Sequence, residues 1–264
     1  MSKQADELQV DYDGKKYRLS IEQRRNSGDL LVFLHGWGCN KECFAEAFSS
    51  EELGAYDICT LDLLGFGKSE KPEDFTYDLL DQANIVALAV KSLRAKRVYL
   101  VGHSMGGGIG LLATPLLKES IAVFISVEGN LASTDSSAVT RSISRQPFWL
   151  FRILTFPAIK FLALLNPDRS MRFWGRWCRE ASPLGFYKSA QSLVSWSDSG
   201  KLLPMFNYLP RKAYIYGEHG IRKENVVPKL SKPVTYEITS SGHIPMVDNA
   251  GEFYATIAKI IQNV

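Results

Sequence analysis

Six short apolar runs, separated by stretches of helical period, constrain this chain more than any other feature of its sequence. The runs are Leu30-Leu31-Val32-Phe33-Leu34, Tyr56-Asp57-Ile58-Cys59-Thr60-Leu61, Arg97-Val98-Tyr99-Leu100-Val101, Ile121-Ala122-Val123-Phe124-Ile125, Lys212-Ala213-Tyr214-Ile215-Tyr216 and Val234-Thr235-Tyr236-Glu237-Ile238. Short continuous runs of this kind suit strands buried on both faces. Residues 77–93 and 105–117 carry helical periodicity between them. Strand and helix in alternation imply an α/β fold, a mostly parallel sheet with helices on both faces. Ahead of the first run, Tyr17, Leu19 and Ile21 alternate after Asp13-Gly14, the signature of a β-hairpin.

The alternation stops between residues 131 and 209. That block is helical and aromatic-rich with no clear strand, and strands then resume. We therefore expect a core domain made of residues 1–130 and 210–264, with residues 131–209 as a helical insertion. Within the insertion, the stretch from Phe148 to Leu165 is nearly all apolar but is interrupted by Arg152, Pro157 and Lys160. A spanning helix needs about 20 largely uncharged residues, so we expect a buried or surface-lying helical pair broken at Pro157 and no membrane span.

Lys and Arg total 31 against 28 Asp and Glu, a formal charge of +3 that argues for no nucleic-acid partner. The N-terminal stretch Met1-Ser2-Lys3-Gln4-Ala5-Asp6-Glu7 has no apolar core and does not read as a secretory signal. Cys39, Cys43, Cys59 and Cys178 form no CxxC spacing. Cys39 and Cys43 stand four apart, but a zinc site needs two further ligands at sensible spacing and none is nearby. Reduced thiols in a cytoplasmic protein are the expectation.

Gly102-His103-Ser104-Met105-Gly106 follows a strand and opens a helix. A serine on such a sharp turn needs small residues two before and two after it, because the backbone folds tightly there. The turn exposes the hydroxyl at a helix N-terminus, where developing negative charge is favoured. Serine is a weak nucleophile at neutral pH and needs a base. Of His35, His103, His219 and His243, we assign His243, in the loop Ser241-Gly242-His243-Ile244-Pro245 after the last strand. Loops at the C-terminal ends of parallel strands are where such sheets assemble their sites. His35-Gly36-Trp37-Gly38 closes the first run. Its glycines let the backbone turn N–H groups toward the serine, so that Trp37 and Met105 would donate an oxyanion hole. His35 itself is expected to brace this loop by hydrogen bonding.

At this point the chain resembles the α/β-hydrolase fold family. The resemblance rests on His35-Gly36-Trp37-Gly38, Asp62-Leu63-Leu64-Gly65-Phe66-Gly67-Lys68-Ser69, Gly102-His103-Ser104-Met105-Gly106-Gly107 and Gly242-His243-Ile244-Pro245, in the family's order and over essentially the whole chain. It implies an eight-stranded sheet flanked by helices, a helical cap inserted after strand six, and a Ser-acid-His triad in that chain order. It implies no metal and no organic cofactor.

The acid departs from the family's usual pattern. After strand seven members usually show a glycine, two variable residues and an aspartate, whereas Gly217-Glu218-His219-Gly220 has glycine in the last place. Glu128, just after strand six, resembles the acid of the haloalkane dehalogenases that take it from this strand. A histidine partner would also explain an otherwise costly glutamate at a buried strand end. Glu218, Asp198 and Asp248 remain alternatives, with Asp248 read rather as a cap of the final helix. Ser104 stands where dehalogenases and epoxide hydrolases of this fold have aspartate.

The resemblance and these residues together imply ester or related acyl cleavage of a small, largely apolar substrate through Ser104, Glu128 and His243. Trp149, Trp174 and Trp177 are the candidate pocket aromatics of the insertion. Arg169, Arg172, Arg176 and Arg179 recur at helical spacing there, and such a face suits either solvent or an anionic substrate tail, acidic partner or anionic lipid. Carbon–carbon bond hydrolysis, perhydrolysis and a ligand-binding receptor with vestigial hydrolysis are the competing readings. Oligomeric state is not legible.

Overall fold

The computed structural model describes residues 4–25, 28–220, 222–231 and 234–264; Met1, Ser2 and Lys3 of the polar N-terminal stretch lie outside them. Each apolar run is a strand. β1 (Gln4–Tyr12) and β2 (Lys15–Arg24) form the hairpin, and Asp13 and Gly14 between them take φ of 50° and 73°. Two-residue hairpin turns of type I′ need this pair of left-handed residues. β3 (Asp29–Leu34), β4 (Asp57–Leu61), β5 (Arg97–His103), β6 (Ile121–Val127), β7 (Lys212–Gly217) and β8 (Val234–Ile238) follow.

The eight strands make one sheet in the order β1-β2-β4-β3-β5-β6-β7-β8. The pairings β1–β2 and β2–β4 are antiparallel and all the others parallel. Side chains on a strand point alternately to the two faces of its sheet, and both faces of the central strands are covered. Leu30, Val32 and Leu34 of β3 pack with Val86 and Val90 of α1 (Leu79–Ser92) and Ile109 of α2 (Met105–Ala113). Leu31 and Phe33 face the opposite layer, which holds Phe253, Ile257 and Ile261. This two-sided burial is why the runs read as continuous rather than alternating.

Between β6 and β7 the described residues contain helices and no strand: α3 (Ala138–Arg145), α4 (Phe148–Leu150), α5 (Phe156–Leu164), α6 (Arg169–Trp177), α7 (Pro183–Asp198) and α8 (Leu202–Tyr208). α9 (Arg222–Asn225) follows β7, and α10 (Pro245–Asp248) and α11 (Ala250–Gln262) follow β8. The expected break at Pro157 does not occur. α4 runs into α5 through a π-helical turn, Phe151–Thr155, and Thr155 and Phe156 keep right-handed helical dihedrals. Proline within a helix displaces the turn before it and lacks an N–H. At the second position of α5, directly after the wider π turn, both demands are met while the helical dihedrals continue. Residues 148–164 are thus one rod. Among the described residues no helix is long and apolar enough to cross a membrane.

Candidate active site

The C-terminal ends of β3, β5, β6, β7 and β8 lie along one edge of the sheet, and the residues singled out by the motifs follow them. Ser104 joins β5 to α2 with φ 51° and ψ −117°, a strained conformation for a side chain. The strain is maintained by close packing. A Cβ on Gly106 would overlap the Leu34 carbonyl and stand 2.6 Å from that of His35, and one on Gly102 would overlap the Gly106 carbonyl. Only glycine at both positions lets β5, α2 and β3 approach this closely.

Ser104 Oγ lies 3.1 Å from His243 Nε2, and His243 Nδ1 lies 3.1 Å from Glu128 Oε2. The imidazole thus bridges the hydroxyl and the carboxylate. Glu128 is fully buried, and its φ of 49° is another left-handed conformation outside glycine. Its other oxygen, Oε1, accepts the Gly217 N–H at 2.9 Å, and its own N–H donates to Ile215 O at 2.8 Å, so β7 holds it from both ends. Burial alone would push the carboxyl up. The hydrogen bond and charge of His243, the Gly217 N–H and the charge of Arg222 outweigh it and hold the group below the ordinary glutamate range.

Gly220 explains the vacant family position. A Cβ there would overlap Glu128 Oε1, so the Glu128 carboxylate fills the space into which a side chain from position 220 would project. The remaining carboxylates are engaged elsewhere. Glu218 Oε2 accepts the Ser240 N–H, and Asp198 pairs with Arg141 through two hydrogen bonds. Asp248 does not cap the final helix, which Asn249 does by accepting the Glu252 N–H. Asp248 instead accepts the Gly242 N–H at 2.9 Å and the Ser170 hydroxyl. It therefore ties the histidine loop to α6, because a carboxylate with two oxygens serves two donors from different elements.

His103 is not aimed at the serine; its Nε2–H donates to the His243 carbonyl at 2.7 Å and fixes the histidine loop from below. His35 braces its loop, with Nδ1–H donating to Gly36 O at 2.8 Å and Nε2 accepting Leu63 N–H at 3.0 Å. That pairing needs a neutral ring, and burial pushes its pKa down accordingly. The Asp62 motif is structural. Its carboxylate accepts Lys41 N, Lys41 Nζ and Lys68 N at 2.7, 2.7 and 2.9 Å, a buried ion pair that pins the segment after His35.

That loop passes directly over Ser104: a Cβ on Gly36 would stand 3.1 Å from Ser104 Cβ. Neither the Trp37 nor the Met105 N–H has an acceptor among the described residues. Met105 is the first residue of α2, where amides lack intrahelical partners. The helical segment braces the same loop, since Trp174 Nε1–H donates to Trp37 O at 2.8 Å and Trp37 Nε1–H donates to Phe186 O at 2.9 Å.

A cavity of about 780 Å³ contains Ser104, His243 and Glu128 in its wall, in the size range of small-molecule sites. Of the three candidate tryptophans, Trp174 lines it. Trp177 is buried against Phe173, and Trp149 is 65% exposed, both outside the lining. Aromatic composition reports the presence of a core and not the face each ring takes, which is set by neighbouring helices. Arg169 and Arg176 both lie over the Phe173 ring, and Arg172 donates to the carbonyls of Asn166 and Pro167.

The motifs did not reveal the polar end of the cavity. Asp135 Oδ2 accepts the Leu131 and Ala132 N–H groups at 2.7 and 2.8 Å, while Arg222 Nη2–H and Asn130 Nδ2–H both donate to Asp135 O at 3.0 Å. Asn130, Asp135 and Arg222 are all buried and all line the cavity. Only the tertiary fold joins Arg222 to residues nearly ninety positions earlier, and an arginine opening a short helix gives no sequence signal of this.

Residues 29–228 match the sequence profile of the alpha/beta hydrolase fold. The chain belongs to this family. Among curated relatives, an uncharacterized hydrolase of Bacillus subtilis, YugF, is 39% identical over 98 residues, covering 35% of this chain and 34% of that protein. A putative esterase/lipase of Mycoplasma pneumoniae is 30% identical over 97 residues, 37% of this chain and 36% of that one. The chain thus aligns with about a third of the length of these relatives. A crystal structure of the N-acyl homoserine lactonase AidH superposes with a TM-score of 0.81 at 18% identity, covering 99% of this chain and 97% of that one. An esterase from Thermogutta terrifontis gives 0.75 at 16% identity and 98% of both chains. At these identities the likeness to the solved structures is one of fold.

Proposed function

We propose that this member of the family is a serine hydrolase that cleaves a carboxylic ester or related acyl bond of a small, largely apolar substrate. The observation that carries the reading is the unbroken contact chain from Glu128 through His243 to Ser104, with the serine on a strained strand-to-helix turn. In this reading Ser104 Oγ adds to the acyl carbonyl while His243 Nε2 takes its proton. Glu128 accepts the Nδ1–H throughout, which holds the imidazole in the tautomer that presents a lone pair to the serine. The new oxyanion sits on the Trp37 and Met105 N–H groups. His243 then gives its proton to the departing alcohol. Water, deprotonated in turn by His243, adds to the acyl-enzyme, and collapse returns Ser104 and the carboxylic acid. Every step is served by side chains and backbone of this chain.

Residues 131–209 act as a cap in this proposal, with residues 1–130 and 210–264 as the catalytic core. Ile159, Leu162, Met171, Trp174 and Leu193 contribute apolar side chains to the cavity lining, which suits the acyl or alcohol portion of the substrate. The names of relatives as esterases and lipases support the reading at the level of reaction type. The test is hydrolysis of p-nitrophenyl esters of increasing acyl length by wild type and by Ser104→Ala. The proposal expects turnover that disappears in the variant and a preferred acyl length set by the apolar lining. Turnover that survives in Ser104→Ala would refute it.

A further inference from the structure

The rod formed by residues 148–164 has two different faces. Its inner face buries Phe151, Phe156 and Ala163, with Phe151 and Phe156 packed on Phe186 at ring separations of 5.8 and 5.0 Å. Its outer face is apolar as well. Trp149, Ile153, Leu154, Phe161, Leu162 and Leu165 are each 63–72% exposed, and they recur at helical spacing along one side of the rod and its end. Half of the large hydrophobic side chains exposed among the described residues are concentrated here, which is what distinguishes a contact surface from the scattered apolar residues of any protein. From Trp149 to Leu165 the stripe is about 24 Å long at the rise of an α-helix.

The surroundings are cationic. Residues 138–179 carry eight Lys and Arg side chains, Arg145, Arg152, Lys160 and Arg169 among them, and a single carboxylate, Asp168. That carboxylate is committed to the N-terminus of α6, where it accepts the Ser170 and Met171 N–H groups. The chain as a whole is only +3, so residues 138–179 carry a strong positive excess and the remainder of the sequence is net acidic; within the segment only Arg141 is paired with a carboxylate outside it, Asp198, among the described residues. An apolar helical stripe bearing Trp and Phe within a segment rich in Arg and Lys matches the interface of a bilayer with anionic headgroups. A second copy of the chain would bring a like charge against this one.

The rod also borders the cavity. Ile159, Leu162 and Ala163 line it, and Leu162 is at once part of its wall and exposed on the stripe. Leu162 therefore joins the wall of the cavity to the apolar surface. We infer that residues 148–165 dock this chain onto an anionic lipid bilayer in the plane of its headgroups, and that acyl substrate passes from the bilayer past Leu162 toward Ser104. The second half of this statement rests on the ester-hydrolase reading; the docking does not.

The test is co-sedimentation of Ser104→Ala protein, which leaves lipid esters intact, with vesicles of phosphatidylcholine alone or mixed with phosphatidylglycerol. The inference expects recovery on the anionic vesicles about tenfold above that on the neutral ones, with the difference lost at high salt. Replacing Ile153, Phe161 and Leu165 together by Ser, none of which lines the cavity, abolishes recovery and leaves the melting temperature and the turnover of a short soluble ester unchanged. Equal recovery on the two vesicles, or none on either, overturns the inference without recourse to any variant. So does a wild-type dimer that the triple variant converts to monomer with vesicle recovery unaltered, because a second copy then covers the stripe. Vesicle binding without turnover of any soluble ester would leave the docking standing and sink the hydrolase reading, while turnover without vesicle binding would do the reverse.

Discussion

In the proposed triad the acid follows β6 rather than β7, and this exchange is testable by moving it back. Glu128 Oε1 occupies the position that a Cβ on Gly220 would enter, so the two sites compete for one volume beside His243 Nδ1. Removing the carboxylate with Glu128→Gly leaves the imidazole without its orienting acceptor and the Gly217 N–H without its partner. Loss of the orienting acid in other serine hydrolases lowers kcat about 10⁴-fold, and a drop on the order of 10³–10⁴-fold is expected here. Stability falls less than the lost contacts imply, because glycine removes a left-handed strain of roughly 1–2 kcal/mol at this φ of 49°. Gly220→Asp alone places one side chain on top of another and two carboxylates together. It should lower both melting temperature and kcat, with a stability cost of about 2–4 kcal/mol. The double variant Glu128→Gly/Gly220→Asp relieves the overlap and returns a carboxylate to the same volume. Its kcat on a soluble ester should exceed that of Glu128→Gly by about tenfold or more, a coupling that independent sites do not show. Additive losses in the double variant, or a Glu128→Gly enzyme within a few-fold of wild type, would refute the reasoning.

Trp174→Phe keeps a ring over the loop but removes the donor to Trp37 O. It should lower kcat about tenfold while changing KM little, read from steady-state ester kinetics. Lys41→Met strands the buried Asp62 carboxylate and should cost about 3–5 kcal/mol, seen as a lowered midpoint in urea with an unchanged slope. The Glu128 carboxyl is held below its ordinary value of 4.5 in the folded protein, so its charged form contributes stability above that pH and the contribution is lost as pH falls through the lowered value. The stability gap between wild type and Glu128→Gln should therefore be widest near neutrality and close under acid, measured by urea titrations across the pH range.

The strands, the hairpin and the placement of Ser104 and His243 were legible because each is written locally. Strands buried on two faces must be continuously apolar, the elbow must carry glycine on both sides of the serine, and the histidine loop must follow the last strand. Glu128 was singled out through the resemblance to dehalogenases that carry their acid after strand six, supported by a glycine where the usual acid would be and by the cost of an unpaired glutamate at a buried strand end. The rest depended on which face of a helix meets which neighbour. Trp149 and Trp174 belong to the same aromatic-rich block, yet one is in solvent and the other braces the Trp37 loop. Arg222 joins Asp135 across the whole insertion, and Asp248 holds the histidine loop to Ser170, contacts that no local pattern encodes. Pro157 was misread because proline was weighed as a breaker, whereas the π turn ahead of it supplies the room its ring requires.

The central claim is that Ser104 is an activated nucleophile, and covalent labelling tests it most directly. Purified protein treated with a fluorophosphonate, which captures serines activated by a neighbouring base, should gain the mass of one adduct, mapped by peptide sequencing to Ser104. The adduct should be absent in Ser104→Ala and form at least about a hundredfold more slowly in His243→Ala. An unlabelled wild-type protein, or an adduct on any other residue, would contradict the account.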